Sequence, residues 1–182
     1  GKSTFIKTVA INAILAQTVH TVLADRYEAV YFRVYSSMAL RDDIMSSESY
    51  YMVEIKSLKR ILDQAKEEGE PVLCFIDEVL RGTNTVERIA ASTEILSLLA
   101  QKNAFCFAAT HDIELTELLK DLYDNYHFEE QVEEDDVIFD YHLREGKAMT
   151  RNAIKLLHMI GYDQHIVQRA QDRVENFVET GS

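Results

Sequence analysis

The sequence predicts an α/β fold in which helices cover a mostly parallel sheet. Two short, continuous apolar runs, residues 72–76 and 104–109, have the length and composition of strands that are buried on both faces. Apolar residues recur at helical spacing in the segments on either side of these runs. Such alternation of strands and helices is typical of layered α/β domains.

Each predicted element follows from its local pattern. Residues 5–23 are rich in apolar side chains and contain no Gly or Pro, which predicts one long buried helix. Residues 29–35 form a β-branched and aromatic run typical of a strand, and the polar residues 36–49 indicate a loop. Further helices are predicted over residues 52–65, 86–99, 113–122, 150–160 and 163–178, and two more polar strands over 126–130 and 137–143 around an acidic turn at 133–136.

Composition limits the classes of function. The 182 residues suffice for one domain with a short appendage, and 47% hydrophobic residues suffice for a sizeable core. The formal net charge is −12, so this chain is not expected to grip nucleic acid by itself, because phosphate binding requires Lys and Arg. No apolar run reaches the roughly 18 residues of a membrane span. Cys74 and Cys106 lie within apolar runs without zinc spacing, which favours buried, reduced thiols in a reducing compartment.

The chain begins with Gly1-Lys2-Ser3-Thr4, which matches the second half of the phosphate-binding pattern G-x-x-x-x-G-K-[ST]. Backbone N–H groups at the start of the helix that follows bind phosphates in such a pattern. Lys2 would reach the β- and γ-phosphates of a nucleotide, and the Ser3 hydroxyl would ligate Mg²⁺. We expect the first glycine of the pattern, and the strand before it, to lie outside this chain. The alternative is an ordinary helix start with small polar residues at its cap.

An acidic pair follows the first buried strand. Asp77-Glu78 comes directly after the apolar run, as in the Walker B motif of P-loop ATPases. In this interpretation Asp77 holds Mg²⁺, and Glu78 orients or deprotonates the attacking water. An acidic pair at a strand end also fits the solvated start of a loop. Its position downstream of the Gly-Lys-Ser-Thr motif favours the catalytic interpretation.

A histidine follows the next predicted strand. His111 lies at the carboxyl end of a parallel-type strand, where open α/β sheets bind their ligands. A histidine there can donate a hydrogen bond to a γ-phosphate. The alternative for a single histidine is a surface residue or a hydrogen-bonded core residue.

Four motifs together resemble the C-terminal, ABC-type ATPase domain of the MutS family. They are Gly1-Lys2-Ser3-Thr4, Ser49-Tyr50-Tyr51-Met52-Val53-Glu54, Phe75-Ile76-Asp77-Glu78-Val79-Leu80-Arg81-Gly82-Thr83-Asn84-Thr85 and Ala109-Thr110-His111-Asp112-Ile113-Glu114-Leu115. The resemblance spans essentially the whole chain, and the acidic pair followed by Arg-Gly-Thr is its most specific part. It implies a P-loop NTPase fold that lacks, in this chain, the first strand and the front of the P-loop, and that ends in a helical tail.

The resemblance also implies roles for individual residues. The residues implied to bind ATP are Gly1, Lys2, Ser3, Thr4, Asp77 and, from the opposite subunit of a dimer, Ser49. Those implied in catalysis are Glu78, His111 and Lys2, and those implied as Mg²⁺ ligands are Ser3 and Asp77. Residues 1–147 would form the ATPase domain, residues 82–85 within it would cross the dimer interface, and residues 148–182 would form a helical dimerisation tail.

The implied function is ATP binding and hydrolysis in a MutS-like DNA mismatch repair or DNA-processing protein. Two subunits, identical or paralogous, would hold ATP between them and couple its hydrolysis to DNA-binding domains elsewhere in the protein. The implied location is the cytoplasm at the nucleoid, with membrane attachment of the whole protein left open. At Tyr50-Tyr51 and Val79-Leu80 the chain departs from mismatch-repair members, which usually have Thr-Phe and Ile-Gly, and this is typical of a divergent branch.

Two other functions stay open from the sequence. A nucleotide-gated interaction module would use ATP to hold a dimer together with little hydrolysis, and the tyrosines of residues 27–51 would offer contact area. We favour a simpler interpretation of these tyrosines as parts of a strand and a helix start. Another ABC-type ATPase of chromosome maintenance is disfavoured, because the chain has no Leu-Ser-Gly-Gly-Gln signature.

Overall fold

A computed structural model describes residues 1–38, 50–65, 68–132, 137–148 and 153–180. The chain forms two compact units, Gly1–Asn125 and Tyr126–Ser182. The first unit contains helices α1 (Lys2–Thr18), α2 (Tyr50–Gln64), α3 (Thr85–Ala100) and α4 (Ile113–Leu118) and strands β1 (Arg33–Ser37), β2 (Val72–Asp77) and β3 (Ala104–Ala109). The second unit contains strands β4 (Tyr126–Val132) and β5 (Val137–Glu145) and helices α5 (Ala153–Met159) and α6 (Gln164–Thr180).

The three strands of the first unit form a parallel sheet with β2 in the centre. Parallel neighbours need a crossover connection, and the segments that contain helices α2 and α3 supply it. The side chains of residues 72–76 are at most 4% exposed, which confirms a strand buried on both faces. Cys74 is buried and Cys106 of β3 is half-buried, both as free thiols. The predicted α/β class with a parallel sheet is therefore confirmed.

Apolar side chains from helices pack on both faces of this sheet. On one face, Leu58 of α2 and Leu96 of α3 share a cluster with Cys74 of β2. On the other face, Ile6 of α1 packs with Phe75 of β2. Removal of this apolar surface from water is the main stabilising contribution to the unit. It also fixes the start of α1 relative to the ends of the strands.

Helix α1 is shorter and less buried than the sequence predicts. It ends at Thr18 instead of residue 23, and His20 beyond it has a left-handed backbone conformation, at φ 56°, that an α-helix does not contain. The Asn12 side chain accepts a 2.6 Å hydrogen bond from the backbone N–H of Leu23 and so fixes the chain after the helix. Ile11 is 53% exposed, so α1 is buried along one side only.

Two strands of the sheet also differ from their predictions. β1 begins at Arg33 instead of residue 29, because the Gln17 side chain binds both the N–H and the C=O of Phe32, at 2.6 and 3.1 Å. β3 has the predicted bounds, but it lies at the edge of the described sheet and its Phe105 is 61% exposed. The prediction of a strand buried on both faces is therefore wrong for β3.

In the second unit, β4 and β5 pair antiparallel with an irregularity between Phe128 and Glu130. Helices α5 and α6 follow, close to their predicted positions. The predicted acidic turn at 133–136 lies outside the described residues. The predicted division after residue 147 falls within this unit, and the dimerisation role of the tail stays a prediction. Within the ranges that the structure describes, no helix combines the length and the hydropathy needed to cross a membrane.

Candidate functional site

Four of the predicted site residues, Lys2, Asp77, Glu78 and His111, meet at the carboxyl edge of the parallel sheet. β2 ends at Asp77, which is paired in register with Ala109 at the end of β3. The backbone N–H of Glu78 extends this pairing by donating to the carbonyl of Ala109 at 3.0 Å. Because both strands run in the same direction, Glu78 and His111 leave the sheet at the same edge.

Lys2 reaches this edge from the first turn of α1. Its Nζ atom donates to the backbone carbonyl of Thr110 at 2.8 Å and lies 3.2 Å from Nδ1 of His111. Burial lowers the pKa of Lys2 below its ordinary value, and the negative charges of Glu78 and Asp77 oppose that shift. The ammonium group therefore lies among the predicted acidic and histidine residues of the site.

Glu78 has a partner for each of its carboxylate oxygens. Oε1 lies 3.1 Å from Nε2 of His111, and Oε2 lies 2.9 Å from a guanidinium nitrogen of Arg81. A neutral His111 ring that carries its proton on Nε2 would accept from Lys2 and donate to Glu78 at the same time. The three predicted catalytic residues thus form one row of polar contacts from Lys2 through His111 to Glu78.

The backbone at Glu78 is strained. Its φ angle is 62°, in the left-handed region that non-glycine residues seldom occupy. Conformations of this kind cost about 1–3 kcal/mol and are concentrated at functional sites, where the surrounding structure enforces them. The strain turns the chain away from the direction of β2 immediately after the strand ends.

The start of α1 has the features of an anion site. The helix contains 17 residues, its N-cap is Gly1, and none of the described side chains caps its first backbone N–H groups. Its first turn carries no acidic residue, and Lys2 adds a positive charge there. Free N–H groups and the helix dipole attract phosphate at such a position, and Ser3 and Thr4 lie in the same turn.

The donor set fits Mg²⁺ only when phosphate oxygens complete it. Among the described residues, no group of three or more His, Cys, Asp or Glu side chains could hold a metal ion. Mg²⁺ is usually bound by one or two carboxylates together with substrate phosphates and water, and rarely by a set of protein ligands alone. Ser3 and Asp77, which are both half-buried, are the hydroxyl and the carboxylate that would hold Mg²⁺ in that mode.

The structure leaves one predicted residue undescribed and adds residues that the sequence did not indicate. Ser49 lies outside the described residues, which resume at Tyr50, the start of α2. Arg81 is the added side chain, and it forms an ion pair with Glu78. The sequence contained a signal for this pair, because Arg81 lies three positions after Glu78. The carbonyl of Thr110 is the added acceptor for Lys2, and no sequence pattern marks a carbonyl group.

A further ion pair lies next to the site. The guanidinium of Arg88 in α3 binds both carboxylate oxygens of Asp112, at 2.8 and 2.5 Å. Asp112 is the N-cap residue of α4 and follows His111 directly. This two-point pair therefore fixes the chain that carries His111. No sequence pattern indicated it, because the two residues lie 24 positions apart in different elements.

Fold and site together define an α/β domain with a charged site at the carboxyl edge of its parallel sheet. The family model of MutS domain V matches residues 1–178, and the chain belongs to the MutS family. DNA mismatch repair protein MutS of Thermus thermophilus is 31% identical over 172 residues, which are 94% of this chain and 21% of that protein.

Two further relatives have the same name and similar coverage. DNA mismatch repair protein MutS of Natronomonas pharaonis is 37% identical over 178 residues, covering 94% of this chain and 20% of the relative. The protein of the same name from Pseudothermotoga lettingae is 36% identical over 177 residues, covering 94% and 21%. The chain thus spans about a fifth of the length of the curated relatives that it matches.

Proposed function

We propose that this chain binds ATP with Mg²⁺ and hydrolyses the ATP, as part of a MutS-like protein that acts on DNA. The observation that carries the proposal is the row of Lys2, His111 and Glu78 beside the uncapped start of α1. It combines an anion-binding helix end, a cation for phosphate and a carboxylate for water. These are the components that phosphoryl transfer to water requires.

The first step is binding of the triphosphate by the start of α1. Backbone N–H groups of residues 2–4 would donate to phosphate oxygens, and Lys2 would leave Thr110 to pair with the β- and γ-phosphates. Ser3 and Asp77 would hold Mg²⁺, which when bound supplies positive charge to the phosphate oxygens.

The second step is activation of water by Glu78. The carboxylate would orient a water molecule in line with the γ-phosphate and accept its proton. Because each carboxylate oxygen accepts more than one hydrogen bond, the water would bind beside a present partner or replace it. The His111 side chain is 74% exposed, which leaves it room to turn from Glu78 to the nucleotide, where its ring would donate to the γ-phosphate.

The proposed assembly is a dimer, of identical or paralogous subunits, with ATP between them. The P-loop side of one subunit would face Ser49 of the partner subunit, and the C-terminal helices would add dimer contacts. Contact with DNA would come from other domains of the protein, because this chain carries a formal net charge of −12. The names of the relatives, which are mismatch repair proteins, support a DNA-related role.

A nucleotide-gated dimerisation module is the second candidate function. The observation that favours it is the pairing of both Glu78 oxygens with side chains, so that an attacking water would have to share the carboxylate with Arg81 and His111. Phosphate release and ATP-dependent dimerisation, measured on one sample of the natural full-length protein, separate the two. Multiple turnovers of ATP support the ATPase. A dimer that forms with ATP and releases no phosphate supports the module and contradicts hydrolysis.

A further inference from the structure

A second carboxylate, outside the row of predicted catalytic residues, lies buried behind the site. Glu54 of α2 is only 3% exposed, although glutamate is almost never fully buried without a partner. Its Oε1 atom accepts a hydrogen bond from the backbone N–H of Arg81 at 3.3 Å. The N–H groups of Leu80 and Gly82 also act on this carboxyl group. One backbone N–H of the loop after β2 therefore donates to this side chain, and the N–H groups of the two neighbouring residues lower its pKa.

The shape of this loop explains why neighbouring N–H groups act on the same carboxyl group. Leu80, like Glu78, has a left-handed backbone conformation, with φ 55°, and successive N–H groups around such a residue form a concave anion site. Gly82 lies against the first turn of α2, because a Cβ atom at residue 82 would lie 2.8 Å from Cβ of Tyr51. The loop is thus fixed to α2 at two points, one at Gly82 and one at Glu54.

Arg81 connects this attachment to the catalytic carboxylate. Its backbone N–H is bound by Glu54, and its guanidinium group binds Oε2 of Glu78 at 2.9 Å. The position of the Arg81 backbone limits where its guanidinium can lie. A change at Glu54 would therefore be transmitted to Glu78 through Arg81, without any contact between Glu54 and a bound nucleotide.

We propose that Glu54 is a positioning residue that holds the loop after β2 on α2 and, through Arg81, sets the orientation of Glu78. This inference rests on the proposed function of Glu78 in hydrolysis. The free-energy cost of burying this carboxyl group supports the positioning role. Glu54 Oε2 has no hydrogen-bond partner among the described residues, and a buried polar atom without a partner destabilises the folded state. An apolar side chain would pack there without an unpaired polar atom. An acceptor at this position is therefore not explained by packing alone.

The test compares three variants of the natural full-length protein. Glu54→Ala removes the acceptor, Glu54→Gln keeps an acceptor oxygen of similar geometry, and Asp63→Asn is a matched control on α2, where the Asp63 side chain is 55% exposed. ATP affinity and single-turnover hydrolysis are measured per folded molecule. We expect Glu54→Ala to slow hydrolysis about tenfold to 100-fold, the effect of a displaced catalytic group, with ATP affinity within about twofold. Glu54→Gln should restore most of the rate.

Two outcomes would overturn this role. One is a Glu54→Ala rate equal to that of Asp63→Asn. The other is an equal loss of ATP affinity and rate in Glu54→Ala with no recovery in Glu54→Gln, which indicates a purely structural role. Glu78→Gln, measured in parallel, separates this proposal from the proposed function. Hydrolysis that survives Glu78→Gln contradicts the proposed role of Glu78 in hydrolysis. If Glu78→Gln loses hydrolysis and Glu54→Ala keeps it, only the positioning role of Glu54 is contradicted.

A double-mutant cycle tests the route through Arg81. In an Arg81→Ala background the guanidinium that contacts Glu78 is absent. Glu54→Ala should then slow hydrolysis by less than about twofold further, because the two changes remove the same connection. If the effects of the two substitutions on the hydrolysis rate multiply fully, Glu54 acts on the site independently of Arg81 and the proposed route is wrong.

Discussion

The Nζ atom of Lys2 donates a 2.8 Å hydrogen bond to the backbone carbonyl of Thr110, 108 residues further along the chain. This bond joins the first turn of α1 to the chain that leaves β3. A bound phosphate would compete with that carbonyl for the ammonium group. The carbonyl oxygen is neutral, whereas a phosphate oxygen is negatively charged and attracts the ammonium group by the Coulomb interaction as well, so the phosphate is expected to prevail.

Substitution of Lys2 by Ala should therefore weaken ATP binding. We expect the affinity to fall about 10-fold to 100-fold, because hydrogen bonds to charged groups contribute about 1.5–3 kcal/mol. Titration of the full-length protein with a fluorescent ATP analogue measures the change. Lys7→Ala is the control, since Lys7 is an exposed lysine on the same helix. Equal affinities in the two variants would show that Lys2 does not bind phosphate.

Glu78→Gln should separate ATP binding from hydrolysis. Glutamine keeps the shape of the side chain but accepts a proton from water poorly, so turnover should fall about 10²-fold to 10⁴-fold while ATP affinity is retained. Phosphate release under multiple-turnover conditions and nucleotide binding are the two measurements. Glu94→Gln on α3, an exposed glutamate, should match the wild-type protein in both. Wild-type turnover in Glu78→Gln would exclude Glu78 as the base.

Gly82→Ala should destabilise the loop after β2. The new Cβ atom would lie 2.8 Å from Tyr51 Cβ and 3.3 Å from Tyr51 Cα, and neither atom can rotate away. Forcing the two segments apart should lower the free energy of unfolding by about 1–3 kcal/mol. Urea denaturation of the purified protein measures this loss. Thr85→Ala, at an exposed position of the same connection, should change it by less than about 0.5 kcal/mol. A stable Gly82→Ala protein would show that the loop can move away from α2.

The sequence predicted the centre of the fold better than its edges. β2 and its acidic end were identified from five apolar residues followed by Asp77-Glu78. Such a run is typical of a buried strand that ends where the acidic residues begin. The end of α1 was missed, because it depends on the Asn12 side chain, which binds a backbone group 11 residues away. β3 was assigned as buried because an apolar run does not reveal how fully other elements cover the two faces of a strand.

The same distinction applies to the candidate site. Lys2, Asp77, Glu78 and His111 were predictable, because phosphate chemistry requires these residue types at strand ends and helix starts. Glu54 appeared only as one residue of a motif, without a role. Its burial and its bond to Arg81 arise from the packing of α2 against a loop that is 27 residues away in sequence. Local patterns contain no information on such a contact.

The pH dependence of stability should report on Glu54. Burial raises the pKa of this carboxyl group above its usual value, the N–H groups of Arg81, Leu80 and Gly82 oppose the shift, and the charge of Glu78 adds to it. A group with a raised pKa in the folded state binds more protons there than in the unfolded state. Its contribution to stability is therefore fully present below its unfolded pKa of about 4.3 and is lost as the pH rises through its folded pKa.

The measurement is urea denaturation of the wild-type chain and of Glu54→Gln at several pH values above about 4.3. Because glutamine does not titrate, the difference in unfolding free energy between the two proteins isolates Glu54 from the other titrating groups. We expect the wild-type chain to lose stability relative to Glu54→Gln as the pH rises. A difference that stays constant with pH, or changes in the opposite direction, would show that Glu54 is already ionised and fully compensated by the backbone donors of the loop.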